Sequence, residues 1–379
     1  MYKTVLFDVD GVFLSEERCF DASALSVWEL LHAPHFLALP QAEHDVQPEE
    51  SAIRLIRDRV FDRNRVLDWM KTRGLNSNWD MVYLAFAGQL LLLLKHLYPT
   101  HPTEVKAFVS QPITEEALAG IQQWAGKDKN GFAPEFTRFP DLFAGQEQLD
   151  KMALLTYFNT LASDWFDVEV KQFSRNSALW ECCYSVYQEW YLGDELYRKS
   201  EGVDVRMPGK VGFLQQEIPI VAPERMGEML KLLKEKGITV GIGTGRTFEE
   251  TAVPLKQLGL FGLFDKSHIA TASDVIAAEE AYPEKAPLGK PEPYTYIKAL
   301  LGASSSIEAC LDCALPLAEG AEILIVGDSV ADFLAARKMG CAFAATLTGL
   351  TGKAARAKFE QLRADYILDD VTELMKVFT

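Results

Sequence analysis

The residues from 4 to 14 read TVLFDVDGVFL. The segment from Thr4 to Phe7 is rich in β-branched and large apolar side chains, which is typical of a buried strand in a parallel sheet. Asp8 and Asp10 follow at once, within the segment DVDGV at 8–12. In an open parallel sheet, active-site groups lie just beyond the carboxyl ends of the strands. This stretch therefore predicts a first strand with two candidate acidic groups at its end.

After about residue 220 the chain alternates between helical and strand-like segments. A helix is predicted from Glu224 to Lys236, strands at 238–242, 322–326 and 341–345, and another helix running through Lys338. Apolar strands separated by amphipathic helices are typical of a parallel sheet that is covered on both faces. The fold class predicted here is therefore α/β, with a Rossmann-like parallel sheet and helices on both of its faces.

Three later segments carry polar groups where active-site residues are expected. The strand at 238–242 leads into Thr244 and Gly245, a Gly-Lys-Pro segment contains Lys290, and the strand at 322–326 leads into GDSVAD at 327–332. Residues 241–246, GIGTGR, also partly match a dinucleotide-binding fingerprint. Arg246 stands where that fingerprint has its third glycine, which is needed for close packing of helix on strand. The dinucleotide interpretation is therefore disfavoured.

The long segment between the first strand and the later ones differs in composition. All seven tryptophans lie between Trp28 and Trp190, and helical periodicity dominates the same region. We predict that residues 1–14 and 220–379 form one catalytic core. Residues 15–219 are predicted to form a large, mostly α-helical cap inserted after the first strand. Within it, residues 206–210 are interpreted either as a specificity loop or as a solvated linker.

The charge balance constrains the partners. The chain has 38 basic and 54 acidic residues, a net charge of −16, so nucleic acid and anionic membrane surfaces are not expected as main partners. The most apolar segment, 81–94, is shorter than the roughly 20 residues of a membrane span, and we predict a buried helix there. The first residues do not resemble a signal peptide, and six cysteines are too few for a disulfide scaffold. We therefore expect a cytoplasmic protein, of unknown oligomeric state.

Cys310 and Cys313 form a single C-x-x-C pair. No second pair or histidine cluster accompanies it, as a zinc site would require. A redox or metal role is the alternative, but we interpret the two thiols as incidental.

The order D-x-D, Thr-Gly, Gly-Lys-Pro and G-D-x-x-x-D resembles the motif series of the haloacid dehalogenase-like (HAD) hydrolase superfamily, in its phosphatase branch. The resemblance covers residues 1–14 and 220–379, and the insert matches only by its position, which is that of the superfamily's first cap type. The resemblance implies that Asp8 is the nucleophile and Asp10 the general acid and base. It also implies phosphate binding by Thr244, Gly245 and Lys290, and a magnesium site formed by Asp8, Asp10, Asp328 and Asp332.

The chemistry of these side chains is consistent with those roles. A carboxylate can attack phosphorus and divide a difficult displacement into two steps. Asp10, if the strand continues through it, is expected to face the same substrate and to exchange protons with the leaving group and with water. Four carboxylates and one lysine leave three net negative charges, so a Mg²⁺ ion, which prefers oxygen ligands, is expected as cofactor. The substrate expected is a small phosphorylated molecule.

In the superfamily that this sequence resembles, an acid at position 10 implies phosphate monoester hydrolysis or a sugar phosphomutase reaction, and these remain alternatives. A third hypothesis, from another class, is a regulatory or interaction protein that uses its large cap.

Overall fold

The computed structural model describes residues 2–75 and 77–378, and the chain forms two compact units. The first unit comprises Met1–Glu17 and Leu214–Thr379, and the second comprises Arg18–Phe213. The second unit differs from the predicted insert, residues 15–219, by a few residues at each end.

The first unit is built on a six-stranded sheet in which every pairing is parallel. The strands are β1 (Thr4–Phe7), β2 (Thr239–Gly243), β3 (Ile269–Ala270), β4 (Ile323–Gly327), β5 (Ala342–Thr346) and β6 (Tyr366–Leu368), in the spatial order β3-β2-β1-β4-β5-β6. The predicted Rossmann-like parallel sheet is confirmed. β3 and β6 were not predicted, because segments of two and three residues are too short to show a periodic pattern.

Helices cover both faces of this sheet. Val5 and Phe7 of β1 belong to one hydrophobic core and Leu6 to another, because successive side chains of a strand point to opposite faces. Pro223–Glu235 contributes to the first core, and Tyr294–Leu301 and Val330–Met339 contribute to the second. The remaining α-helices of this unit are Phe248–Gln257, Ala272–Ala281, Ile307–Leu311, Arg356–Leu362 and Met375–Phe378.

The strand register brings three loops to one edge of the sheet. Phe7, near the end of β1, is aligned with Ile242 of β2 on one side and with Val326 of β4 on the other. The residues that follow these three strands therefore leave the sheet at the same level. The chain order of the strands also reverses at β1, which is where open α/β sheets form a crevice for ligands.

Among the described residues of the second unit, every regular element is a helix. The α-helices are Glu17–His32, which begins in the first unit, Glu50–Val60, Arg65–Lys71, Asn78–Leu97, Pro102–Val109, Glu115–Ala125, Lys151–Phe166 and Ala178–Glu201. Two 3₁₀ segments, Asp128–Gly131 and Phe136–Phe143, lie between them.

The helix Asn78–Leu97 forms much of the interior of the second unit and packs against Lys151–Phe166 and Ala178–Glu201. By length and apolar composition alone, its 20 residues could cross a membrane. The shortness of the segment 81–94 therefore does not exclude a membrane-spanning helix. However, 83% of its most apolar window is buried within the protein. Near its start, the buried Asp80 accepts a hydrogen bond from Trp180 Nε1 (3.0 Å). Such burial is typical of a core helix.

Candidate active site

Asp8 is the first residue after β1, and its side chain is almost completely buried. Its backbone N–H donates to the Val326 carbonyl (2.8 Å), which extends the pairing with β4 by one residue. Its Oδ1 accepts from the Val9 N–H (2.8 Å). These two bonds fix the carboxylate at the edge of the sheet with Oδ2 turned toward Lys290.

Lys290 links two of the predicted site residues. Its Nζ lies 2.9 Å from Asp8 Oδ2 and 2.7 Å from Asp332 Oδ1, and its side chain is only 10% exposed. Tyr296 donates its hydroxyl hydrogen to Asp332 Oδ1 (2.7 Å), and the Lys290 ammonium lies 4.8 Å from the centre of the Tyr296 ring. The lysine is therefore held by two carboxylates and one aromatic ring.

Asp332 is held from its other side by the start of its own helix. Ser329 is the N-cap of Val330–Met339. Its hydroxyl oxygen accepts from the Asp332 N–H (3.2 Å), while its own backbone N–H (3.3 Å) and its hydroxyl (2.6 Å) donate to Asp332 Oδ2. This reciprocal arrangement is a capping box with aspartate in place of glutamate. Both oxygens of Asp332 are thus already engaged by protein groups.

Asp328 directly follows β4 and lies against two glycine backbones. A Cβ atom added at Gly11 would lie 2.5 Å from Asp328 Cγ, and one at Gly349 would overlap the carboxylate itself. Gly11 also has φ +65°, in the left-handed region that favours glycine. Carboxylate oxygens of Asp8, Asp328 and Asp332 lie within 4.8 Å of one another. This all-oxygen donor set fits a hard divalent cation such as Mg²⁺.

Asp10 is placed differently from the sequence expectation. β1 ends at Phe7, so the assumption that the strand continues through Asp10 is wrong; the chain turns instead, with the Phe13 N–H donating to the Val9 carbonyl (2.9 Å). The Asp10 carboxylate contacts Arg246, whose Nε and Nη2 donate to Oδ1 at 2.9 and 2.6 Å.

Arg246 is itself almost completely buried and also binds Glu217 (Nη1–Oε1, 2.9 Å). A further hydrogen bond runs from its Nη1 to the Glu250 carbonyl (3.2 Å). Arg246 therefore fixes the orientation of Asp10 from the loop between β2 and the helix Phe248–Gln257. The charges of Arg246 and Glu217 cancel, so including these two residues leaves the net charge of the site as predicted from the sequence.

Thr244 and Gly245 form the short segment between β2 and Arg246. Thr244 is fully buried; its N–H donates to the Ala270 carbonyl (3.1 Å), and its hydroxyl oxygen accepts from the Arg246 N–H (3.2 Å). Gly245 is exposed, and a Cβ there would have open space around it. Gly243, just before them, is packed so closely on Tyr296 that a Cβ would lie 2.5 Å from Cδ1 of the ring. The absence of a side chain at 243 is thus what allows Tyr296 to reach Asp332.

The buried charges of the site affect one another. Burial raises the pKa of Asp8 to about 7; Lys290 opposes this shift, while Asp332 and Asp10 add to it. Burial also disfavours ionisation of Asp332, but Lys290, Ser329 and Tyr296 outweigh it and lower the pKa of that carboxyl. In the same way the two aspartates overcome the burial of Lys290 and raise the pKa of its ammonium. At neutral pH the lysine and Asp332 are therefore ionised, while Asp8 titrates.

Several residues that shape this site were not predicted from the sequence. From the sequence, Arg246 argues only against dinucleotide binding, and no motif points to Glu217, Tyr296 or Gly349. The Ser329–Asp332 capping box could have been found from its S-x-x-D spacing. No short motif marks Tyr296 or Glu217, because their roles depend on contacts with Asp332 and Arg246 that only the folded chain forms.

The loop at 206–210 in the second unit is held by buried charges and is not a solvated linker. Lys210 Nζ lies 2.8 Å from Glu29 Oε2 and 2.8 Å from Glu189 Oε2, and all three side chains are completely buried. Arg206 pairs with Glu189 at 2.5 Å and with Glu115 at 2.7 Å. Burial alone would disfavour ionisation of Glu29, but His35 and Lys210 outweigh it and lower its pKa to about 2.

Comparisons with known proteins agree with the fold and with the two later motifs. Residues 287–374, which include Lys290, Asp328 and Asp332, match a family model described as HAD-hydrolase-like. No curated protein matches the chain. The X-ray structure of a Northeast Structural Genomics Consortium target is 38% identical, with a TM-score of 0.78, over 99% of this chain and 98% of that chain.

Two solved structures with lower similarity span the same length. One is described as a predicted phosphoglycolate phosphatase from Haemophilus somnus 129PT (15% identity, TM-score 0.40, 100% of this chain and 98% of that chain). The other is a HAD-superfamily hydrolase of subfamily IA from Geobacter sulfurreducens PCA (15% identity, TM-score 0.39, 100% and 97%). With its parallel sheet, its ordered motifs and its family-model match, this chain belongs to the HAD-like hydrolase superfamily.

Proposed function

We propose that the protein is a Mg²⁺-dependent phosphatase that hydrolyses a small phosphorylated metabolite through a phosphoaspartyl intermediate on Asp8. The observation that carries this proposal is the buried Asp8 carboxylate at the end of β1, with the Lys290 ammonium 2.9 Å away and a second acid, Asp10, two residues later. A nucleophile, a cation for phosphoryl oxygens and a proton carrier are the three groups that phosphoryl transfer to a carboxylate requires.

The first step forms a bond between an Asp8 oxygen and phosphorus while the bond from phosphorus to the substrate oxygen breaks. Asp10 protonates the departing alkoxide, so the alcohol leaves neutral. Lys290, with the hydroxyl of Thr244 and the amide of Gly245, would balance the negative charge on the phosphoryl oxygens. Asp332 and Tyr296 keep the lysine in position, and Arg246 does the same for Asp10.

The second step releases phosphate. Asp10, now ionised, takes a proton from a water molecule whose oxygen attacks the phosphorus of the acyl phosphate. The bond to Asp8 breaks, inorganic phosphate leaves, and both carboxylates return to their starting states.

Of the four aspartates expected from the sequence, we assign the ligation of Mg²⁺ to Asp8 and Asp328. Both oxygens of Asp332 are engaged by Lys290, Tyr296 and Ser329, and Oδ1 of Asp10 is held by Arg246. When bound, the ion would supply positive charge that offsets the excess of carboxylates and allows a phosphate dianion to approach.

A screen of phosphorylated metabolites with Mg²⁺, including p-nitrophenyl phosphate, tests this function. We expect release of inorganic phosphate, its loss on thorough chelation, and one covalent phosphate on the intact enzyme after rapid quenching. Asp8→Asn should abolish both turnover and labelling, whereas Asp312→Asn, the same change at an exposed position, should alter neither. Phosphate appearing on a second sugar hydroxyl would indicate a phosphomutase. If no compound is hydrolysed, the interaction hypothesis for the large second unit is favoured.

Substrates with different leaving groups test whether Asp10 acts as the general acid. Asp10→Asn should slow substrates with alkyl leaving groups more than activated aryl phosphates, because only the former need a proton to depart. Equal losses for both classes would contradict its assignment as the acid.

A further inference from the structure

A cavity of about 450 Å³ opens in the first unit beside the segment that carries Lys290. Its walls come from the helix Tyr294–Leu301, the short helix Ile307–Leu311 and the loop that follows it. Its volume lies within the roughly 300–1,000 Å³ of small-molecule sites. None of the residues assigned to phosphoryl transfer lines it.

Most of the cavity wall is apolar. The apolar side chains are Leu288, Pro293, Ile297, Leu311, Leu315 and Pro316. Among them, Leu315 is 41% exposed. A ligand with a largely apolar body would remove this surface from water.

Tyr294 supplies a polar group to the same wall. Its side chain is buried, and its hydroxyl has no hydrogen-bond partner among residues 2–75 and 77–378. Buried polar groups are nearly always paired in folded proteins, so this unpaired hydroxyl points to a missing partner. Burial raises the pKa of Tyr294 to about 12, so the hydroxyl is a neutral donor at physiological pH.

The charged residues of the cavity favour an anion. Lys338 lies at its edge and pairs with Glu292 (2.5 Å), which also lines it. Lys285 is exposed and has no ion-pair partner within the described part of the chain. The lining therefore carries one net positive charge in a protein whose total charge is −16.

We propose that this cavity binds a small organic anion with a largely apolar body. The body lies against the leucine, isoleucine and proline side chains, an acceptor takes the hydrogen bond of the Tyr294 hydroxyl, and the negative group faces Lys285. Binding here does not require hydrolysis at Asp8, so this site and the proposed phosphatase activity succeed or fail independently.

Cys313 allows the cavity to be tested in the unmodified protein. It lines the cavity and is partly exposed, whereas the other five cysteines are buried. The probe is 1-anilinonaphthalene-8-sulfonate, which joins an apolar ring system to one negative charge. Alkylation of Cys313 by iodoacetamide is followed by mass spectrometry of its peptide, with and without saturating probe. We expect the probe to slow alkylation at least fivefold.

Two controls separate the cavity from general surface binding. Leu311→Trp fills the cavity and should abolish protection, while Leu301→Trp, the same change at an exposed leucine outside it, should leave protection intact. N-phenyl-1-naphthylamine, which has the same rings without the sulfonate, should bind more weakly. Lys285→Ala should weaken the sulfonate probe about two- to fivefold, as expected for an exposed charge, and leave the neutral one unchanged.

Each outcome bears on the proposal. Probe fluorescence that rises without protecting Cys313 would place the binding elsewhere and overturn it, as would protection that survives Leu311→Trp in a folded variant. Equal protection by the two probes, insensitive to Lys285→Ala, would overturn the assignment of an anionic ligand. The comparison in the unmodified protein gives an answer even where a variant fails to fold.

Discussion

Replacing Lys290 with methionine tests how much the Lys290 ammonium stabilises the fold by offsetting the two buried carboxylates beside it. Lys290→Met keeps most of the side-chain volume but removes the ammonium that lies 2.9 Å from Asp8 and 2.7 Å from Asp332. Both carboxylates are buried, so neither can recover the lost interaction from bulk water. The matched control is Lys338→Met. Lys338 also forms a short ion pair, with Glu292 at 2.5 Å, but those side chains are 43% and 42% exposed.

The expected magnitudes differ because of burial. Removing one partner of a buried ion pair costs about 3–5 kcal/mol in the free energy of unfolding, since it leaves an uncompensated charge. An exposed pair contributes about 0–1 kcal/mol. With a urea dependence of about 2 kcal/mol per molar, Lys290→Met should lower the unfolding midpoint by about 1.5–2.5 M and Lys338→Met by less than about 0.5 M.

The assay must report on the first unit specifically. All seven tryptophans lie in the second unit, so intrinsic tryptophan fluorescence follows that unit alone. Cys341 is buried in the first unit and Cys183 in the second. Pulse alkylation at increasing urea, read by peptide mass spectrometry, gives a midpoint at each thiol. The Lys290→Met shift should be larger at Cys341 than at Cys183.

The effect should also depend on pH. Lys290 holds the pKa of Asp8 down to about 7, so removing the ammonium should raise this pKa further, and Asp8 of the variant should bind a proton more strongly than Asp8 of the wild type between pH 8 and pH 6. The stability difference between wild type and Lys290→Met, measured without metal, should therefore be smaller at pH 6. A Cys341 midpoint for Lys290→Met no lower than that for Lys338→Met would refute the reasoning.

Three further predictions concern the metal site and the second unit. Because Mg²⁺ must displace a proton from Asp8 below its pKa of about 7, its affinity by calorimetry should be about tenfold weaker at pH 6 than at pH 8; equal affinities would contradict this. Gly349→Ala should weaken Mg²⁺ binding by displacing Asp328, whereas Gly262→Ala, where a Cβ has open space, should not. In the second unit, the pKa of Glu29 is lowered from the ordinary 4.5 to about 2, which contributes about 3 kcal/mol to the free energy of unfolding. This contribution is present above pH 4.5 and is lost as the pH falls toward 2. Tryptophan fluorescence during acid titration should show this loss in wild type and not in Glu29→Gln.

The local pattern of the sequence was sufficient for the main strands and for the α/β class. β1, β2, β4 and β5 are short apolar runs bounded by turn residues, and each was expected within a residue or two of its observed limits. The prediction for Asp10 was wrong because it assumed that β1 continues through this residue. The chain turns after Phe7, where the Val9 carbonyl accepts several backbone hydrogen bonds, so Asp10 leaves the line of β1.

The sequence by itself determined which chemical groups follow the strands, because strand propensity and turn residues act over a few neighbouring positions. It thereby placed Asp8, Lys290, Asp328 and Asp332 in segments that a parallel sheet brings to one edge. Only the tertiary structure decided how these groups are paired: Lys290 with Asp8 and Asp332, and Asp10 with Arg246. Those pairings, and the raised pKa of Asp8, depend on strand register and on burial, and two of them, Asp8 with Lys290 and Asp10 with Arg246, join residues more than two hundred positions apart, which no local pattern encodes.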